Sequence, residues 1–229
     1  MAVKEHRDRC EARGKLRTRE EIISFFHDGQ VIAIGGQAGV NSPWRLIDCI
    51  IESGAKHLTI CSIDSGDPNT GVGKLVRAGV VDKMITTHVG TNPETSQKMM
   101  SGEIDVELCP MGSFMERIRC GGAGLGGVLT KKGIVTTVEE GKQIITVKVE
   151  KYLLEEAIHP DIAITRARRA DIIGDLAYRG TGTASHPVIA TSAELSIVEC
   201  DFLCDVDEIS RDDVRVPGIY IDMILAQEG

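Results

Sequence analysis

The 229-residue sequence predicts an α/β fold: an open, mostly parallel sheet with helices on both faces and a small antiparallel β insert. Three observations carry this. Short apolar runs without polar alternation recur between glycines, as strands covered on both faces require. Segments with helical apolar spacing alternate with them at intervals that fit βαβ units. Beyond residue 127 the alternation gives way to β-rich stretches joined by turn residues.

Thr18-Arg-Glu-Glu21 has the form of a capping box, and Ile22, Ile23, Phe25 and Phe26 follow it, which predicts a first helix ending at Asp28-Gly29. Residues 31–34 (VIAI) read as a buried strand. Ser42 as N-cap and Pro43 at the first helical position open a helix carrying Leu46, Ile47, Ile50 and Ile51, which Gly54 stops. Residues 58–61 form the next strand. The pattern repeats as a short helix at Leu75 and Val76 before Gly79, a strand over 84–87, a helix over 93–100, a strand over 106–109 and a helix over 114–119. After glycines at 121–127, residues 133–138 and 143–149 read as a hairpin turning at 139–142. Later strands are expected at 161–165, 172–173, 196–198 and 218–221. No linker divides the chain, so 1–229 reads as a single domain, with residues 1–16 a basic N-terminal arm.

Apolar residues make up 42% and charged residues 26%, which excludes disordered and fibrous classes. The net charge of −8 has the wrong sign for a general nucleic-acid binder, and eight aromatic residues leave little for base stacking. No run of 18 apolar residues occurs and the N-terminus is charged where a secretory signal is apolar, so a soluble, cytoplasmic chain with no membrane partner is expected. Seven scattered cysteines read as reduced thiols. Cys200 and Cys204 lack a second ligand pair nearby, so no metal is expected.

In residues 28–43 (DGQVIAIGGQAGVNSP) a buried strand runs into glycines and then a helix start. Backbone N–H groups and the helix dipole there suit a phosphate, pyrophosphate or carboxylate; a plain tight turn accounts for the same residues equally well. Residues 122–127 match G-x-G-x-x-G, but a helix precedes and a β-run follows, the reverse of the dinucleotide fingerprint, so no nicotinamide cofactor is implied. That loop either lines a cleft beside Glu116, Arg117 and Arg119 or simply lets backbones cross. Phosphate-loop, nucleophile-elbow, zincin and EF-hand motifs are absent from the sequence. Of six isolated histidines, His88 and His186 stand out beside Gly90 and Pro187. Arg166-Ala-Arg168-Arg169 either binds a phosphate or forms a charged strand end at the surface.

Five collinear segments together resemble the alpha subunit of class I coenzyme A transferases, the group of 3-oxoacid and acetate/acetoacetate CoA-transferases. They are DGQVIAIGG at 28–36 with Pro43, GAKHLTI at 54–60, SGEIDVELCPMG at 101–112, ERIRCGGAG at 116–124 and VPGIYI at 216–221. The resemblance spans about residues 15–225. It implies that a glutamate attacks an acyl-CoA thioester and that a glutamyl-CoA thioester forms before a carboxylic acid receives the CoA. In the family that glutamate belongs to a beta subunit; Glu103 here matches an alpha-subunit segment instead. The resemblance therefore implies no catalytic residue in this chain, a beta partner (an A2B2 assembly), no permanently bound cofactor, and coenzyme A, acyl-CoA and carboxylates as substrates. By matching position, the substrate-binding candidates are Gly35, Gly36, Gln37, Gly39, Asn41, Ser62, Asp64, Gly112 and Ser113.

The sequence departs from the family at the segments expected to touch the acid. Gly36-Gln37 replaces G-G-F, Asn41-Ser-Pro43 replaces G-x-P, and Ser62-Ile-Asp-Ser-Gly66 replaces S-N-N-A-G. Pro110-Met-Gly-Ser113 replaces P-Q-G-T, and Gly182-Thr-Ala-Ser-His-Pro187 replaces A-R-N-F-N-P. Gln37, Asn41 and Asp64 in place of an apolar wall lead to the expectation of a short-chain acid bearing a keto, hydroxy or amino group. The other readings of the same sequence are a sugar-phosphate isomerase-like enzyme and a non-catalytic effector-binding module of the same fold.

Overall fold

The structure, a computed structural model, describes residues 14–227. Helix α1 (Arg19–Ile23) opens with the expected capping box: Thr18 Oγ1 accepts from Glu21 N, and Thr18 N donates to Glu21 Oε2. It is shorter than the sequence predicts, ending at Ser24 instead of continuing to Asp28. Strand β1 (Val31–Ile34) leads to α2 (Trp44–Ser53), β2 (Leu58–Asp64), α3 (Gly73–Ala78) and β3 (Val81–His88). Next come α4 (Pro93–Ser101), β4 (Asp105–Leu108) and α5 (Met111–Gly122). Gly54, Gly79 and Gly102 each take left-handed φ values (75°, 68° and 74°) and close α2, α3 and α4, a conformation that favours glycine. Pro43, not Ser42, is the N-cap of α2.

After α5 come β5 (Gly127–Thr130), β6 (Ile144–Val147), β7 (Glu150–Glu156), β8 (Ile162–Asp171), β9 (Leu176–Ala177), α6 (Gly182–Ala190), β10 (Leu195–Cys204) and β11 (Met223–Ala226). The main sheet has the order β11-β10-β8-β1-β2-β3-β4, all parallel, with β9 added antiparallel to β8. Alternation along β1 sends Ile32 and Ile34 to one core, with Leu46, Ile50 and Leu75 of α2 and α3. Ala33 faces the other, with Cys61, Ala163, Phe114, Ile118 and Ile189 under α5 and α6. Helices thus cover both faces. Alanines at 33 and 163 leave room for Phe114.

The antiparallel insert exists with different strands. Its order is β5-β7-β6, and the hairpin turns at residues 148–149, with Lys148 at φ 57°, instead of at 139–142. Residues 133–138 are not a strand: Gly133 and Val135 have φ of 90° and 63°, and a 3₁₀ turn occupies Thr137–Glu139. Residues 172–173 turn back into β9, and 218–220 form a second 3₁₀ turn, so the last strand lies at β11. A Cβ on Gly218 would meet the Ile173 carbonyl oxygen at 2.2 Å, so this crossing requires glycine. The expected arm over 1–16 lies mostly outside the described residues. Its end does not: Leu16 is buried and bridges to Ile224 at the sheet edge.

Candidate active site

Strand β1 runs through α2 to β2 on one side, and β8 runs through α6 to β10 on the other. The chain therefore reverses its direction of winding between β1 and β8, and a crevice opens beyond the carboxyl ends of those strands, the usual ligand position in open parallel sheets. A cavity of about 530 Å³ occupies it, lined by Ala38, Asn41 and Trp44 from the β1 side and Arg166, Tyr178 and Asp201 from the other.

The glycine loop needs its glycines. Gly36 and Gly39 take φ of 120° and 75°, and Cβ atoms there would stand 2.6 Å from Ser42 Oγ and 2.4 Å from Thr70 Oγ1. Three of its donors, however, are committed within the chain. Gly35 N donates to Ile164 O, Gln37 N to Val40 O, and Ala38 N to Asp64 Oδ2 at 2.6 Å. The other oxygen of Asp64 accepts from Gly66 N, and Ser62 Oγ donates to the Asp64 carbonyl. The start of α2 is capped in the same way: Glu199 Oε2, from β10, accepts from Arg45 N at 2.8 Å and Leu46 N at 3.1 Å. Glu199 is 1% exposed. Burial raises its pKa, while Arg45 at 3.9 Å and Arg166 at 3.8 Å act to lower it. The anion favoured at this helix N-terminus is thus a side chain of the protein itself.

The opposite wall is cationic and aromatic. Arg166 donates from Nε and Nη2 to Asp201 Oδ1 (3.0 and 2.8 Å) and stacks 4.3 Å from the centre of the Trp44 ring. Arg168 pairs with Asp201 Oδ2 at 3.3 Å and lies over Phe202. Stacking at such partly exposed sites stabilises a guanidinium by about 0.5–1 kcal/mol and orients its plane. Arg179 also lines the cavity. Behind Tyr178, the ring of His186 is fully buried and parallel to it, with centroids 5.4 Å apart. Burial pushes the His186 pKa down to about 4, so the imidazole is neutral.

Of the residues expected at the site, Gly39 and Asn41 line the cavity, and the Asn41 amide donates to Thr181 Oγ1. Gly35 and Gly36 form the base of the loop, Ser62 and Asp64 are buried beneath it, and the exposed Gln37 lies outside the cavity lining. Gly112 and Ser113 are not brought to it. They start α5 after β4, three strands from β1, about 15 Å at ordinary strand spacing. The glycines at 121–127 also lie elsewhere: Cβ atoms on Gly121 and Gly122 would meet the carbonyls of Ile158 and Thr191 at 1.9 and 2.0 Å, so these positions serve a backbone crossing. His88 is exposed at the end of β3. Trp44, Tyr178, Arg179 and Asp201 were not singled out from the sequence. The alternation Arg166-x-Arg168 was the available signal, since it places both side chains on one face; the residues lie inside β8 and not at the strand end that the sequence suggests.

Among the described residues no group of His, Cys, Asp or Glu side chains is arranged to hold a metal. No helix there is long and apolar enough to cross a membrane. The six described cysteines are buried, and burial pushes Cys49 up to about 11 and Cys61 up to about 12, so both are protonated thiols at neutral pH.

The family profile described as Coenzyme A transferase matches residues 17–227. The acetate CoA-transferase subunit alpha of Escherichia coli K12 is 44% identical over 93% of this chain and 97% of its own length. The acetoacetyl-CoA:acetate/butyrate CoA transferase alpha subunit of Clostridium acetobutylicum is 40% identical over 93% and 98%. Among solved structures, an acyl-CoA transferase of E. coli O157:H7, in a thioester complex with CoA, superposes with a TM-score of 0.83 at 20% identity. That alignment covers 93% of this chain and 47% of the other, so the chain spans about half the length of that structure.

Proposed function

Because this chain belongs to the coenzyme A transferase family, as the alpha subunit of such an enzyme, we propose that it supplies the acid-binding side of an active site completed by a beta partner. One observation carries this division of labour. The carboxylates at the cleft are all committed: Asp64 to the loops after β1 and β2, Glu199 to the start of α2, and Asp201 to Arg166 and Arg168. A carboxylate held by two donors is a poor nucleophile, so the attacking glutamate comes from the partner.

The reaction then runs as follows. The partner's carboxylate attacks the acyl-CoA carbonyl and CoA thiolate leaves, giving an acyl-glutamyl anhydride. The thiolate attacks the glutamyl carbonyl, releasing the first acid and leaving a glutamyl-CoA thioester. The second acid repeats the sequence in reverse, taking the CoA and restoring the glutamate. Coenzyme A is a substrate throughout, with no resident cofactor. The arginines on β8 supply fixed positive charge for the incoming carboxylate in a partly dry site, where it counts most.

The acid is a short-chain one bearing a polar substituent. Gly39 and Asn41 contact it from the loop, and Gly35, Gly36 and Gln37 shape the face toward the partner. Ser62 and Asp64 act by holding that loop, while Gly112 and Ser113 lie on the β4 side, where a partner chain or CoA reaches them. The 1–229 subunit works as one domain in a cytoplasmic A2B2 assembly. Nothing in the family match favours the isomerase-like or effector-module alternatives. Co-expression with a beta chain of the family tests the reading: the chains should co-purify in equal amounts and exchange CoA between acids, whereas full transferase activity from this chain alone would overturn it.

A further inference from the structure

The lining of the cleft between β1 and β8 carries an unbalanced charge. It holds three arginines, Arg166, Arg168 and Arg179, and one acid, Asp201, which leaves two positive charges. Glu199 behind the wall does not change that balance: it faces Arg166 at 3.8 Å, but Arg45 stands against it as a further cation at 3.9 Å. The three arginines are not equivalent. Asp201 gives one oxygen to Arg166 and the other to Arg168, so both guanidinium groups are part-occupied and rest on Trp44 and Phe202. Arg179 follows Tyr178 just beyond β9, is exposed, and its guanidinium group pairs with no acid among the described residues. The same lining carries apolar groups, Ala38, Val40 and Ala167, and Val40 and Trp44 are 57% and 44% exposed. A short hydrocarbon segment between two anionic ends suits that pattern. A compact dianion such as phosphate does not, because at the β8 wall it meets the Asp201 carboxylate that already bridges the two guanidinium groups.

Resting on the reading that this cleft takes the acid, we propose that the polar substituent is a second carboxylate and that Arg179 is the specificity-determining residue that holds it, so that the substrate is a short dicarboxylic acid. Arg166 and Arg168 meet the carboxylate that enters the reaction, and Arg179 meets the one that does not. Only the first loses its charge: once that carboxyl becomes a thioester, the other is still an anion. Arg179 therefore binds free acid and acyl-CoA alike and acts on KM more than on kcat. A hydroxy or keto group in that place leaves the guanidinium without a counter-charge, and an ammonium group is repelled by all three arginines. Asp64, the sequence's candidate for an amino group, is occupied by Ala38 N and Gly66 N.

The test uses the assembled complex with its partner chain and three probe acids of equal chain length, butyrate, succinamate and succinate, with binding read by calorimetry and transfer by kcat and KM. Succinamate has the shape of succinate without its second charge. The unaltered complex should bind succinate about tenfold or more tighter than butyrate, with succinamate close to butyrate. Arg179→Gln, at an exposed position where the fold tolerates it, should bring the succinate preference close to one and raise KM for succinate more than it lowers kcat. Arg179→Lys should keep part of the preference, because the charge remains and the planar fork does not. Equal binding of the three acids by the unaltered complex overturns the assignment. So does a succinate preference unmoved in Arg179→Gln; weaker CoA binding by that variant would then give the arginine to the phosphates of CoA. Because binding is read without turnover, a complex that shows the expected preference yet passes CoA to no acid refutes the transferase reading and upholds this one. A complex that exchanges CoA between acids but prefers butyrate does the reverse.

Discussion

The two sides of the cleft use their polar groups differently. On the β1 side Ala38 N of the glycine loop donates to Asp64, and the start of α2 donates to Glu199. On the β8 side Arg166 and Arg168 share Asp201, and their guanidinium groups stand at the cavity wall, stacked on Trp44 and Phe202. A glycine loop running into a helix is a ready anion site only when the fold has not already supplied the anion. Here the first side is held largely by its own carboxylates, while the second presents guanidinium groups to the cavity.

The largest expected effect strikes the β1 side. Glu199→Ala removes the acceptor from two backbone donors of α2 and the charge shared by Arg45 and Arg166, so a loss of about 3–5 kcal/mol is expected in chemical denaturation. An unchanged midpoint would mean the loop side is not held by its own carboxylate. Next comes the buried imidazole. With its pKa at about 4 against 6.5 for an ordinary imidazole, the unfolded chain binds that proton more readily between those values, so its contribution is intact above about pH 6.5 and lost as pH falls toward 4. Between pH 7 and 5 the wild type should lose about 2 kcal/mol more than His186→Leu. Taking the difference matters because Glu199 and Asp171, raised by burial, bias the acid end in the opposite sense.

Arg166→Met keeps a long apolar stem against Trp44 but removes the charge facing the incoming acid. A fall of roughly tenfold in kcat/KM is expected for the assembled enzyme, with Arg166→Lys restoring only part of it because the planar fork is lost. If Met at this position leaves transfer rates unchanged, the β8 wall is not the recognition side. The smallest effect is expected at Gln37, exposed at the loop tip: Gln37→Ala should shift stability by less than about 0.5 kcal/mol. A drop in activity without a drop in stability would sharpen the contrast by showing that the tip faces the partner.

Much of the fold was legible because local signals agreed. Glycines in left-handed conformations end α2 and α3 at Gly54 and Gly79, where the sequence places the stops, and α4, expected over 93–100, ends at Ser101 before Gly102. Helix α6 escaped because Gly-Thr-Ala-Ser-His-Pro has no apolar period and Pro187 lies inside the helix. The insert was misread because Ile134, Val135 and Val138 carry strand propensity while the backbone at Gly133 and Val135 turns the other way. The carboxylates that meet the glycine loop at Ala38 N and the start of α2 at Arg45 N come from 26 and 154 residues away, so local patterning does not show that these donors are filled. Three-dimensional neighbours at that separation leave no trace in local patterning.

The central claim is that the attacking carboxylate is not in this chain, and weighing the two subunits after reaction with acyl-CoA tests it most directly. Denaturing mass spectrometry of the co-purified complex, quenched during turnover, should show a CoA-sized mass increase on the partner chain alone. The same increase on this chain, in the complex or by itself, would contradict the account.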